Sequence, residues 1–174
     1  MDTYSGRCAV LAKNGMVASS HTLAAQIGLD ILKQGGSAVD AAIADNAALG
    51  LMEPYACGVG GDLFAIVWDA KTQQLHGLNA SGRSPGQLSY SQMKAEVNNR
   101  GASVIPEYGA LTLSVPGAVD GWFALHQRFG QLPMATLLKP SIDYAEQGFP
   151  LTQVMMAEWH EALGLIGDQP GDLN

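Results

Sequence analysis

The sequence predicts a mixed α/β (α+β) fold, mostly helices with a few antiparallel strands, and three observations carry that expectation. Apolar residues recur at helical spacing, as in Leu23, Ile27 and Ile31 or Trp122, Leu125 and Phe129. Two β-type runs, residues 63–68 and 75–78, flank a polar turn and read as a hairpin. Glycine and proline punctuate the chain where those patterns stop, at Gly35-Gly36, Glu53-Pro54, Gly130 and Gly148.

Taken in order, Asn14-Gly15 favours a tight turn because both residues tolerate positive φ, and residues 16–19 read as a strand. Ser20 or Thr22 suits the cap of a first helix, whose Leu23, Ile27 and Ile31 face inward and which Gly35-Gly36 stops. Ser37 caps a second helix over residues 38–51, with Asp40 in its first turn where the helix dipole favours an acid. That helix is alanine-rich and nearly uncharged, so it needs cover on several sides; Glu53-Pro54 closes it. A glycine turn at residues 57–61 enters the hairpin, and residues 79–88, dense in Asn, Ser, Gly and Pro, form a loop.

A short helix follows over residues 90–98, then a strand over 108–115. Pro116 suits the start of a helix carrying the Trp122, Leu125 and Phe129 stripe, which Gly130 ends. Pro133 opens the next helical stretch and Pro140 restarts or kinks it, with Leu138, Ile142 and Ala145 inward. Leu151, Met155, Trp159 and Ala162 make a last stripe before a turn-like end, residues 166–174. There is no internal repeat and no linker composition, so residues 1–174 are read as one unit without an internal boundary.

The chain is 174 residues long, enough for one domain or part of a larger one. Only 14% of it is charged, against about a quarter in ordinary soluble domains. That thin charge fits either a partner-facing surface or a plain Ala/Gly-rich composition. The net charge of -7 argues against nucleic acid and against an anionic membrane, because both need a basic face. Apolar runs fall short of the ~20 residues that span a bilayer, and residues 1–15 lack a signal-peptide core. Cys8 and Cys57 lie far apart with no paired histidines, so a metal site is not expected, and two reduced thiols suit a cytoplasmic location.

Few residues stand out for chemistry. The glycines at 58–61 invite comparison with a phosphate loop, but they run from helix to strand rather than from strand to helix. A tight turn or close backbone packing is the simpler reading. Ser19-Ser20-His21 sets hydroxyls beside an imidazole, for which a helix cap suffices. His76, His126 and His160 are isolated and read as surface or edge residues. Asp40 and Asp45 stand roughly 140° apart on a helix and do not converge, while Asp45 or Asn46 suits a buried hydrogen bond to another element. Arg83 is the one cation between Lys71 and Lys94 and sits in the Asn-Ser-Gly-Pro loop. It fits either a bidentate carboxylate contact or a solvated loop arginine.

In combination, GG-x-AVDAA from Gly35, Glu53-Pro54, the G-x-GG of Gly58 to Gly61 and the VPG of Val115 to Gly117 resemble the N-terminal part of the large subunit of the γ-glutamyltranspeptidase (γ-glutamyltransferase) family. The resemblance covers most of residues 15–152 in the family's order. It implies part of an N-terminal-nucleophile hydrolase, an αββα sandwich made as one proenzyme that cleaves itself into two subunits. In such an enzyme the new N-terminal threonine attacks a γ-glutamyl amide such as glutathione, its α-amine serves as base, and an oxyanion hole holds the intermediate. No cofactor is implied. The partners implied are the remainder of the large subunit and the small subunit, with a small γ-glutamyl or acyl-amide substrate.

The Thr-Thr-His run that opens the family's small subunit does not occur in this sequence, so no catalytic residue is assigned and the chain alone is expected to be inactive. The family's Arg-Glu-x-Ala-Pro substrate loop is altered. Aligned on Pro85, Ser81 stands at the arginine position and Gly82 at the glutamate position, with Arg83 two residues later. The Ser-Gly-Arg-x-Pro form resembles a γ-glutamyltransferase-like branch near cephalosporin-acylase-type relatives. The expected substrate-binding residues are Arg83, Ser81 and Asn79. Two alternatives to the γ-glutamyltransferase reading are a cephalosporin-acylase-like amidase and a free-standing, non-enzymatic binding or assembly module. Exposed apolar surface on such a piece favours self-association.

Overall fold

The computed structural model describes residues 8–166, and they form six α-helices and one two-stranded antiparallel sheet. The second helix is the hub. Helix α1 spans Thr22–Lys33 and α2 spans Ala38–Met52. The two pack as an antiparallel pair around Ala24, Ile27, Ile31, Ile43 and Ala44. Small residues let the pair close up: a Cβ on Gly28 would meet the Val17 side chain at 3.1 Å and the Ala41 carbonyl at 3.3 Å.

His21, rather than Ser20 or Thr22, caps α1. Its Nδ1 accepts the Leu23 N–H at 3.2 Å, so Nε2 carries the proton and faces Met155 Sδ at 2.9 Å. The Ser20 hydroxyl is already committed to Glu53 at 2.7 Å. Gly35, at φ 90°, ends the helix as predicted, with the Gly36 N–H returning to the Ile31 carbonyl at 3.0 Å.

Helix α2 starts with a full capping box between Ser37 and Asp40. The Asp40 side chain is fully buried and does more than face the helix dipole. Its Oδ2 also accepts the Gln131 and Leu132 backbone N–H groups at 2.9 and 3.2 Å, which ties α2 to a loop ninety residues on. Asn46 makes a part-buried version of the contact expected of it or Asp45, accepting from Trp122 Nε1 at 2.8 Å.

Strand β1, Leu63–Asp69, pairs with β2, Gln74–Ala80, in the register Leu63 to Ala80 through Asp69 to Gln74. Asp69 accepts from Lys71 N and the Thr72 hydroxyl, and Gln73 turns the chain at φ 56°. Those two bonds hold the Asp69 carboxyl below the usual range. Leu63, Ala65, Val67 and Leu78 face the core, while Phe64, Ile66, Trp68 and Leu75 face out.

Helix α3, Tyr90–Asn99, has its own capping box between Ser89 and Gln92. Helix α4, Ala118–Phe129, lays Trp122 and Leu125 between α2 and the inner face of the hairpin. Helix α5, Met134–Gln147, packs on α2 and absorbs Pro140 without ending. Helix α6, Gln153–Ile166, contributes Met155 alone to the core.

Four expectations are corrected. Residues 16–19 are extended but pair with no strand among the described residues, and Asn14-Gly15 is a bend without positive φ. Residues 108–115 contain a single 3-10 turn, Ala110–Thr112, after Gly109 at φ 99°, because only Val115 finds a backbone partner across the gap, the Arg83 carbonyl. On α5 the inward residue is Leu137, with Leu138 beside it, whereas Ile142 and Ala145 are exposed. The Leu151 and Trp159 part of the last stripe is uncovered. Of the turn-like end, residues 167–174 lie outside the described residues.

Candidate functional site

Three separate segments meet at the end of the hairpin. The first is the turn after α2, where the Gly61 N–H closes onto the Gly58 carbonyl at 3.0 Å and a Cβ on Gly50 would lie 3.2 Å from Gly58 Cα. Close backbone packing therefore explains Gly50 and Gly61, whereas a Cβ on Gly58 or Gly60 would meet nothing. The second is the strand end and loop from Asn79 to Pro85. The third is the segment from Ser114 to Ala118, which leads into α4.

The Gly61 carbonyl accepts from both Gly117 N and Ala118 N, at 3.1 and 3.0 Å, so it closes the first turn of α4. Asp62 Oδ1 accepts from Gly82 N at 2.9 Å and from the Ser114 hydroxyl at 3.2 Å. Val115 N donates to the Arg83 carbonyl at 2.9 Å. At Gly82 a Cβ would collide with the Val115 carbonyl, and at Gly117 with the Ala80 carbonyl, so both crossings require glycine.

All three residues expected from sequence to bind substrate lie on this junction. Asn79 is on β2 rather than in the loop, on the hairpin's outer face, with its Oδ1 accepting from Ser81 N at 2.9 Å. Ser81 and Arg83 are exposed. The Arg83 side chain makes no ion pair or hydrogen bond among the described residues. Its guanidinium has five donors on a backbone fixed from two sides. Asp62 was not singled out from sequence, where its only signal is a lone acid between the glycine turn and the strand.

A trough of about 490 Å³ lies beside the junction. Met16, Val17 and Ala18 form one wall, Leu63, Phe64 and Ala65 of β1, whose edge here is unpaired among the described residues, the other, and Ala41 and Ala42 of α2 part of the floor. Asp45 lies in it: burial pushes its carboxyl above the usual range, the nearby Ser19 hydroxyl offsets part of that rise, and the Glu53 charge adds a smaller one. The Ser19 Oγ and Asp45 Oδ1 atoms are buried with no protein hydrogen bond among the described residues. Close by, burial and the Glu53 and Asp45 charges raise the Cys57 thiol, which makes it a poor nucleophile. Cys57 and Cys8 are both free.

The histidines stay apart. His76 stacks near Phe129 and meets Arg128 at 3.0 Å, and His126 donates from Nε2 to the Leu132 carbonyl at 2.6 Å. Among the described residues no group of three His, Cys, Asp or Glu side chains is placed to hold a metal ion, and no helix is long and apolar enough to cross a membrane.

Comparison with known proteins adds to this geometry. The glutathione hydrolase-like YwrD proenzyme of Bacillus subtilis is 36% identical over 162 residues, which is 92% of this chain and 30% of that protein. The crystal structure of cephalosporin acylase from Bacillus halodurans superposes with a TM-score of 0.82 at 47% identity, over 95% of this chain and 30% of that one. Helicobacter pylori gamma-glutamyltranspeptidase superposes with a TM-score of 0.80 at 31% identity, over 90% of this chain and 44% of that one. This chain thus spans about a quarter to a third of the curated relatives and under half of the solved chains it matches. Residues 24–173 match the family model for gamma-glutamyltranspeptidase, and the chain belongs to that family of N-terminal-nucleophile hydrolases.

Proposed function

We propose that this chain is the acyl-donor-recognition part of a γ-glutamyltransferase or glutathione hydrolase-like enzyme made as a proenzyme. In this reading Arg83 binds a substrate carboxylate while Ser81 and Asn79 line the approach. The observation that carries it is Arg83 itself: an exposed guanidinium, unpaired among the described residues, on a loop tied to two other segments. A solvated surface arginine has no need of such a pinned backbone.

The chemistry divides accordingly. Arg83 holds the donor by a planar, bidentate ion pair, which fixes the distance from the carboxylate to the scissile amide. The nucleophilic threonine, its amine base and the oxyanion donors come from the stretch of the relatives that this chain does not match. Threonine Oγ attacks the γ-carbonyl, its proton passes through the α-amine to the leaving amine, and the acyl group then goes to water or to an amino acid or peptide.

The remainder of the proenzyme is the partner in this reading. The free edge of β1, the trough beside it and the outward Phe64, Ile66, Trp68 and Leu75 supply a surface for added strands and a second sheet. A cytoplasmic location belongs to the same proposal and is checked by cell fractionation.

The test is release of p-nitroaniline from γ-glutamyl-p-nitroanilide by the intact protein. Arg83→Ala lowers kcat/KM about 10–100-fold, chiefly through KM, the range expected for one charge-assisted pair. Unchanged constants refute the role of Arg83. Turnover by the 174-residue chain alone refutes the division of labour.

A second reading, an amidase that takes a related acyl chain, is favoured by one observation. The Bacillus halodurans acylase is 47% identical whereas the Helicobacter pylori transpeptidase is 31% identical. Gly82 also stands at the family's glutamate position, which removes an anion from the loop. Glutaryl-p-nitroanilide, the same acyl chain without its α-amine, separates the two readings by which substrate has the higher kcat/KM.

A further inference from the structure

We infer that Asp62 is the positioning residue of this donor site, setting Arg83 through the backbone that carries it; the inference rests on the Arg83 reading above. An aspartate in an exposed turn ordinarily bonds its own chain two or three residues on, as Asp69 does with Lys71 and Thr72. Asp62 instead spends one oxygen on residues 20 and 52 positions away, Gly82 N and the Ser114 hydroxyl. Those two partners flank Arg83 on both sides of the crossing, because Gly82 precedes it and Val115, next to Ser114, donates to the Arg83 carbonyl.

The arginine's Cα is therefore held by a closed circuit of Asp62, Gly82, Arg83, Val115, Ser114 and back to Asp62. Gly82 closes it further, since its Cα lies too near the Val115 carbonyl for any larger residue and a Cβ there would stand 3.1 Å from Ser114 Oγ. Among the described residues Asp62 is the one side chain that supplies an acceptor to both segments of the crossing. Asp62, Arg83 and Val115 are exposed and Gly82 and Ser114 only half-buried, so the circuit adds little to global stability. Its effect is on placement: a displaced guanidinium loses the planar, bidentate geometry of its pair with the carboxylate, which weakens donor binding. The circuit needs an acceptor at Oδ1, not a charge, so asparagine serves in its place.

The experiment compares L-γ-glutamyl-p-nitroanilide with 4-aminobutyryl-p-nitroanilide, the same chain without the carboxylate, in the intact protein and its Asp62→Ala, Asp62→Asn and Arg83→Ala variants. If glutaryl-p-nitroanilide is the better substrate, the pair is glutaryl and butyryl. Asp62→Ala is expected to raise KM about tenfold for the carboxylate substrate, to leave its kcat within about twofold, and to leave the carboxylate-free substrate unchanged. Asp62→Asn restores most of the loss. Where Asp62→Ala does not fold, Ser114→Ala gives the same selective change at about two- to threefold.

Equal loss on both substrates, or an asparagine variant as poor as the alanine one, overturns the positioning role. If Arg83→Ala discriminates between the substrates and neither Asp62→Ala nor Ser114→Ala does, this inference alone fails. If Arg83→Ala does not discriminate, the donor-site reading falls and takes this one with it.

Discussion

Replacing Asp40 with alanine removes one carboxylate oxygen that three backbone amides share: Ser37 N at 2.8 Å, Gln131 N at 2.9 Å and Leu132 N at 3.2 Å. The Ser37 bond is half of a capping box, and losing a cap costs about 1 kcal/mol. Gln131 and Leu132 are then left with no acceptor at a part-buried site, at about 1–2 kcal/mol each. The sum is about 3–5 kcal/mol, or a fall in Tm of about 6–20 °C for a domain of this size. Asp40→Asn keeps an oxygen for all three donors and loses only the charge assistance, so it costs about 1–2 kcal/mol. Thermal unfolding followed by circular dichroism reads the total, and amide hydrogen exchange at Gln131 and Leu132 reads the link itself. An alanine variant that loses under 1 kcal/mol, or one that leaves exchange at those two amides unchanged, refutes the claim that Asp40 ties α2 to the α4–α5 loop.

Two further expectations follow from the same geometry. The Asp45 carboxyl titrates higher in the fold than in the unfolded chain, so the folded form binds its proton more tightly. Its contribution to stability is complete below the ordinary aspartate value and is lost as pH rises through the folded one. Asp45→Asn should therefore flatten the rise in Tm on acidification from pH 7 and raise Tm at pH 7; a variant with the wild-type slope refutes this. The outward hairpin face, with Phe64 68% and Ile66 80% exposed, should bind ANS and associate in the isolated chain. Replacing Ile66 and Trp68 with threonine should reduce both signals, read by fluorescence and light scattering, and an unaltered wild-type monomer refutes it.

Features set by neighbouring residues were the legible ones. The Ser37 cap, the Gly35-Gly36 stop, the hairpin and the Trp122 and Leu125 stripe all come from groups within a few positions of one another. Residues 16–19 and 108–115 carry strand-forming composition, but a strand exists only where another backbone pairs with it. That pairing is not written locally. The partners of Asp40 in the α4–α5 loop and of Asp62 in the loop and the Ser114 segment were hidden for the same reason. His21 was overlooked as a cap because hydroxyls flank it, although the Ser20 hydroxyl is engaged by Glu53. In the candidate site, composition pointed to Arg83 and its loop, and the circuit that fixes the loop needed coordinates.

The alanine-rich α2 shows how a weak sequence signal can still be informative. A helix with one apolar stripe has one neighbour, and α2 has no such stripe because its faces go to different places. One side meets α1, another α4 and α5, and a third floors the trough between the extended residues 16–18 and the edge of β1. Alanine suits all three, since a small side chain lets a neighbour approach closely, as Gly28 of α1 does to the Ala41 carbonyl of α2. On the trough side the small residues leave room above α2, and the polar groups there, Ser19 Oγ and Asp45 Oδ1, have no bond to one another. The small residues of α2 that open the trough and the burial that raises the Asp45 pKa thus belong to one helix face.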